Sequence, residues 1–409
     1  MSETINNFFK KDGAYIILGS FYTKVITFIT SILLIQILDP NEFGIISYLL
    51  STLAFFIPFA GGGLQHSFLR FAPEISSNTR ISALFRLTLY KGLKISFALV
   101  FILYLLFPYL NLNAEIENYY YYLLFIYLFS FFMIEMVKSN YRVLNKNKGF
   151  ASIDAIASSA LLIIGCLAAY TVGSFAYILA FVTVPFFVSL FFFRIKRSIH
   201  ISKPKNYYAY GLWFGLGSIA SQLMYSLDIF LVGQLVSDTS EIAIYKSASI
   251  IPLALFFIPN SFITTHYTDL AKHSNDKEYL VRFAKNYMKL FSVIALVIGL
   301  LLYYLASPLV LSLFGNSYVS AIPLFQILVF GMVGAFVFRI PFGNLLAAVG
   351  KSKWNTLVAI SILILNGIFS YYAIQTIGII GAAYVTSILF WVSGIVSFIL
   401  FYIYIKRLN

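Results

Sequence analysis

The chain has 409 residues, 60% of them hydrophobic and only 11% charged, with 28 lysines and arginines against 15 acids and a formal net charge of +13. Soluble domains carry about 25% charged residues, so the composition excludes one. The single cysteine, Cys166, excludes an intrachain disulfide and a cysteine metal site.

In chain order, apolar runs of the length a membrane helix needs, about 20 residues, place spans near 13–38, 43–66, 87–110, 119–138, 150–171 and 174–194. A second set follows near 210–236, 241–268, 287–312, 318–346, 354–376 and 379–404. The polar opening MSETINNFFKKDG leads into an apolar run too long for a signal-peptide core, so the first span reads as a retained helix. Alternate connections between spans then separate by charge. One set holds 25 of the 28 basic residues, from Lys10 and Lys11 through Arg86, Arg142, Arg197, Lys285 and Lys351 to Arg407. The other set, DPNE, NLNAEIEN, TVG, VSDTS, GNSYV and TIG, holds none. By the positive-inside rule both termini are cytoplasmic, and the positive balance is topological information rather than a nucleic-acid footprint. The amphipathic inner stretch RISALFRLTLYKGL reads as a helix lying on the membrane surface. YYYY at 119–122 reads as an aromatic belt at the outer interface.

The two sets of six resemble each other. FFIP recurs at 55–58 and 256–259, NKNKGF at 145–150 answers GKSKWN at 350–355, and IKR recurs at 195–197 and 405–407. Pro108 and Pro308, and LGS at 18–20 and 216–218, fit the same series. An even number of spans per half makes the repeat parallel, as in transporters whose substrate site lies near the midplane between halves. The expected division is therefore 1–203 and 204–409, two six-helix bundles around a central cavity.

The three basic residues outside the loops, Lys24, Lys246 and Arg339, fall inside spans together with Asp228. Lys24 lies roughly 16 Å along its helix at 1.5 Å per residue, beyond the reach of snorkelling. Asp228 lies on the equivalent span of the second half, nearer its outer end. An intramembrane charge is costly, so each is either a structural ion pair or the lining of a wet cavity. Arg339 lies within snorkelling reach of the inner face, Lys246 lies near the outer face, and Arg70 closes the second span. Glu135 and Asp154 sit near inner ends, where they can pair with Lys138 or water. The midplane balance is cationic, which suits an anionic substrate carrying phosphate. No nucleophile–base pair, Walker A motif or zinc spacing is present, so neither an enzyme nor a cofactor or metal site is expected.

Several stretches carry a family likeness: LIQILDPNEFGIISYLLS, YGLWFGLGSIASQLMYSLDIFLVGQL, SPLVLSLFGNSYVSAIPLFQIL, NLLAAVGKSKWNTL and IGIIGAAYVTSILF. In order and spacing, over nearly the whole chain, they resemble the polysaccharide repeat-unit flippases. These are the O-antigen translocases of the multidrug/oligosaccharidyl-lipid/polysaccharide exporter superfamily. The resemblance implies twelve helices in two bundles around a cationic cavity in a bacterial inner membrane. It implies alternating access that carries an undecaprenyl-pyrophosphate-linked oligosaccharide from the cytoplasmic to the periplasmic leaflet. Lys24, Arg70, Lys246 and Arg339 then map onto the cations that meet pyrophosphate or acidic sugars. With no ATP site, Asp228 is the expected acid for a coupling H+ or Na+, and a polysaccharide polymerase complex is an expected partner. Three other readings compete, one of them an accessory scaffold in a polysaccharide assembly complex, which has no evident use for buried charges. A drug-efflux relative of the same fold would take cationic substrates, which this charge balance disfavours. A membrane polymerase or glycosyltransferase would need catalytic groups on substantial outer loops, which are absent.

Overall fold

The computed structural model describes residues 13–75, 77–110, 112–113, 116–193, 204, 206–212, 215, 223, 226–236 and 238–408. Among these every regular element is helical, and eleven helices are long and apolar enough to cross a membrane. The expected seventh span, 210–236, lies partly outside the described residues; its C-terminal part is the helix Leu227–Leu235. The protein is an all-α, multi-pass membrane protein. It divides into two compact units, Met1–Gln222 and Leu223–Asn409. The expected boundary at Lys203 and Pro204 falls against 194–203, which lie outside the described residues.

In the first unit, α1 (Gly13–Ile37) is followed by α2 (Pro40–Phe56). Their junction is written in the sequence: Asp39 Oδ1 accepts the Glu42 N–H at 2.9 Å, and Pro40 sits where a helix needs no donor. The second span then breaks. A tight turn over Ile57–Gly63 carries three consecutive left-handed glycines, Gly61, Gly62 and Gly63 (φ 60, 62 and 68°), before α3 (Leu64–Phe71). The third span, α4 (Asn78–Leu106), is one continuous helix. The stretch expected to lie on the membrane surface is thus the first half of a span: Ile81, Leu84 and Phe85 bury one face against the bundle, and the helix has no reason to bend away. Next come α5 (Asn118–Val143), α6 (Asn147–Ala160), a π-turn over Leu161–Gly165, α7 (Cys166–Val172) and α8 (Ser174–Phe192). Helical geometry splits the tyrosine run. Tyr119 and Tyr122 are exposed, as a belt requires, whereas Tyr120 hydrogen-bonds Ser174 and Tyr121 donates to the Asn113 carbonyl at 3.0 Å in the core.

The second unit holds α9 (Leu227–Leu235), α10 (Thr239–Leu255), α11 (Phe257–Lys272), α12 (Lys277–Tyr304) and α13 (Ala306–Phe314). It continues through α14 (Ala321–Gly334), a π-turn over Ala335–Arg339, α15 (Ile340–Ala348), α16 (Ser352–Ile377) and α17 (Ile379–Lys406). Local geometry repeats that of the first unit. FFIP marks the helix break in both, since Pro58 and Pro259 each remove a backbone donor there. Asp238 caps α10 by accepting the Ser240 N–H at 2.8 Å, as Asp39 caps α2. Gly173 and Gly378, both at positive φ, join the last two spans of each unit.

Candidate functional site

α1 presents three different faces. Gly19, Thr30 and Leu34 lie on the packed side, where the small Gly19 lets the helix approach Ala151 of α6, and Tyr22 hydrogen-bonds Ser159 at 2.8 Å. Leu18, Phe21, Val25 and Ile29 form an exposed apolar face, as lipid requires. Between these runs a polar stripe, Ser20, Lys24, Thr27 and Ser31, with spacings of four, three and four that put all four on one side of a helix. The first three are exposed and Ser31 is half-buried. Thr27 and Ser31 donate to the Thr23 and Thr27 carbonyls at 2.8 and 3.0 Å. Their oxygens therefore remain available as acceptors. An exposed lysine flanked by hydroxyls halfway along a span is an address for water or a polar ligand, not for hydrocarbon.

Asp228 is buried near the start of α9, and its surroundings come from three other helices' worth of polar side chains. Thr386 of α17 donates to Oδ2 at 2.6 Å and Tyr245 of α10 at 3.2 Å. Asn366 of α16 donates to the Thr386 hydroxyl at 3.4 Å, and Ser370 donates back to Asn366 at 3.3 Å. Asp228 Oδ1 has no hydrogen-bond partner among the described residues. A cavity of about 20 Å³, floored by Asp228, Tyr245 and Thr386 and walled by Phe256, Leu328 and Phe390, lies beside it. That is room for one water or a small bare cation.

The remaining expected residues fall as follows. Lys246 is half-buried, and neither it nor Asp228 joins an ion pair among the described residues. Arg339 is buried in the second unit's core, where Nη1 donates to Asn355 Oδ1 at 2.9 Å. Gly343 leaves its guanidinium room, because a side chain there would collide with Nη1, and Gly394 lets α17 approach the backbone at Phe338 and Arg339. Arg70 is exposed and pairs with Glu74. Lys138 bonds both Glu135 (2.6 Å) and Asp154 (2.9 Å), as their positions in the sequence suggested. The structure thus gathers a site around Asp228 within the second unit, and a separate stripe around Lys24 within the first. Thr27, Ser31, Tyr245, Asn366, Ser370 and Thr386 escaped sequence reasoning. Their signals are the four-residue spacings of Thr27 with Ser31 and of Asn366 with Ser370, which set each pair on one helix face. Among the described residues no group of histidine, cysteine, aspartate and glutamate could hold a metal ion through three such ligands.

Three comparisons bear on this geometry. The profile of a family described as polysaccharide biosynthesis protein matches residues 33–323. A Shigella flexneri protein named "Putative O-antigen transporter" is 26% identical over 181 residues, 44% of this chain; the match spans only 42% of that relative. Among solved structures, an inward-facing multidrug-resistance MATE transporter of the MOP superfamily superposes with a TM-score of 0.76 at 16% identity, covering 94% of this chain and 95% of that one. The lipid II flippase MurJ in an inward closed conformation gives 0.73 at 14% identity, covering 95% and 87%.

Proposed function

Since the chain belongs to the polysaccharide biosynthesis protein family, we propose that it is a flippase for oligosaccharide repeat units linked to undecaprenyl pyrophosphate. It would carry them from the cytoplasmic to the periplasmic leaflet of a bacterial inner membrane by alternating access. It is a transporter and not an enzyme, in keeping with the relatives above, named as an O-antigen transporter and a lipid II flippase. The observation that carries the reading is the Lys24 stripe: a lysine on a membrane-depth helix face, exposed among hydroxyls that can accept from sugar hydroxyls.

In this proposal Lys24 and Lys246 offset the pyrophosphate charge, which lowers the cost of holding ammonium groups at that depth. Arg70 and Arg339 are already held, by Glu74 and Asn355, and meet the substrate only on exchanging those partners. Asp228 takes the coupling H+ or Na+: its carboxylate is buried, has one oxygen without a hydrogen-bond partner among the described residues and borders a cavity of ion size. The test is transport by the purified chain in vesicles loaded with the lipid-linked oligosaccharide. Translocation lost in Lys24→Ala and unaffected by lipophilic cations supports the reading. Transport of the cations alone transfers it to the multidrug branch.

A further inference from the structure

On the second unit, α16 and α17 run side by side and leave a shallow groove between their exposed flanks. Leu357, Ile362 and Leu365 of α16 form one wall, and Val392, Val396 and Leu400 of α17 the other. Trp354 closes one end. There the Lys351 ammonium lies 5.9 Å from the Trp354 ring centre and the Arg407 guanidinium 6.0 Å, so one ring draws two cations together from the two ends of the unit's last hairpin. Lys351 also lies 5.5 Å from the Tyr404 ring. Lys277 reaches the same corner, donating to the Leu408 carbonyl at 3.0 Å. Among the described residues no carboxylate pairs with Lys351, Lys277 or Arg407.

We propose that this groove is a binding site for a single anionic glycerophospholipid of the cytoplasmic leaflet, its phosphate held by Lys351 and Arg407 over Trp354 and one acyl chain lying between α16 and α17. Each part of the lipid has its counterpart. Two convergent cations without an acid between them attract a phosphate oxyanion, and arginine supplies it with paired donors. Tryptophan is at home at the headgroup level, where an apolar ring meets a wet edge. The walls beyond it are hydrocarbon. Length chooses among lipids. From Trp354 to Leu365 the groove runs for eleven residues of helix, roughly 16 Å at 1.5 Å per residue. That is about half of a bilayer's hydrocarbon core of roughly 30 Å. It matches one acyl chain of one leaflet, and a long polyprenyl chain would outrun it. The basic end faces the side that the charge bias assigns to the cytoplasm.

The chain's three tryptophans make the test direct. With Trp213 and Trp391 replaced by phenylalanine, Trp354 becomes the sole tryptophan and is excited selectively over tyrosine, and the full chain is reconstituted in vesicles whose phosphatidylglycerol or phosphatidylcholine carries brominated acyl chains. The proposal expects brominated phosphatidylglycerol to quench Trp354 several-fold more effectively at equal mole fraction. Lys351→Gln with Arg407→Gln is expected to abolish that preference while quenching by phosphatidylcholine stays the same. Equal quenching by the two lipids in the parent protein overturns the site and leaves an ordinary lipid-facing surface. Relief of quenching by polyprenyl phosphate at a small fraction of the phospholipid concentration also overturns it, because the groove would then belong to the isoprenoid.

Discussion

At the scale of single residues, charge at membrane depth is conspicuous and its company is not. Lys24 stands out of an apolar run because no other side chain there is charged at neutral pH, and Asp228 does so for the same reason. Thr27 and Ser31 are unremarkable as letters. Serine and threonine satisfy themselves on their own helix, and only the exposure pattern of α1 separates an exposed hydroxyl from a packed one such as Thr30. Thr386 lies 158 residues from Asp228 along the chain, so their 2.6 Å hydrogen bond is a property of the fold and not of the local sequence. Two predictions belong here. If Lys24 meets phosphate, Lys24→Ala removes a charge-assisted hydrogen bond worth about 1.5–3 kcal/mol. Polysaccharide output would then fall roughly ten- to a hundredfold at unchanged protein level, with partial recovery in Lys24→Arg. Asp228→Asn preserves shape and still accepts from Thr386 and Tyr245, so thermal unfolding of the purified protein should move by only a few degrees. Transport in vesicles should nevertheless lose its response to an imposed H+ or Na+ gradient. A retained response removes Asp228 from the coupling role.

At the scale of elements, spans were legible and their interruptions only in part. Hydrophobic length located the helices, but the breaks after Phe56 and Leu255 fall inside stretches, 43–66 and 241–268, that read as single spans. The amphipathic stretch after Arg80 misled because a basic and apolar mixture describes equally a surface helix and the end turns of a continuous span. What distinguishes them is the buried face formed by Ile81, Leu84 and Phe85, which sequence pattern alone does not reveal. The break in the second span depends on Gly61. Its φ of +60° is unfavourable for any side chain, and a Cβ there would run into the Phe132 ring. Left-handed backbone costs a residue with a Cβ about 1–2 kcal/mol, and the collision adds to it. Gly61→Ala should therefore lower the thermal midpoint clearly, and Phe132→Leu in the same protein should recover the steric part alone. Full recovery would mean that the backbone conformation carries no cost; no loss in the single variant would mean that this turn is not present in solution.

At the scale of the whole molecule, the repeat was the most informative signal. The matches at 55–58 with 256–259 and at 145–150 with 350–355 fall on equivalent helix breaks and junctions in the two units. Degenerate apolar strings gain meaning there from order and spacing, because equivalent positions must make equivalent bends. Substrate identity had no such support in the fold. Chains with this architecture include a multidrug transporter and a lipid II flippase at 16% and 14% identity, so the cargo has to be argued from side chains. The most direct measurement of the central claim uses cells lacking this protein, with the lipid-linked sugar pool labelled and each membrane leaflet probed separately. The account predicts that complete repeat units accumulate on the cytoplasmic leaflet, and that the wild-type chain, but not Lys24→Ala, restores their passage. Complete units reaching the periplasmic leaflet at the normal rate without the protein would contradict it.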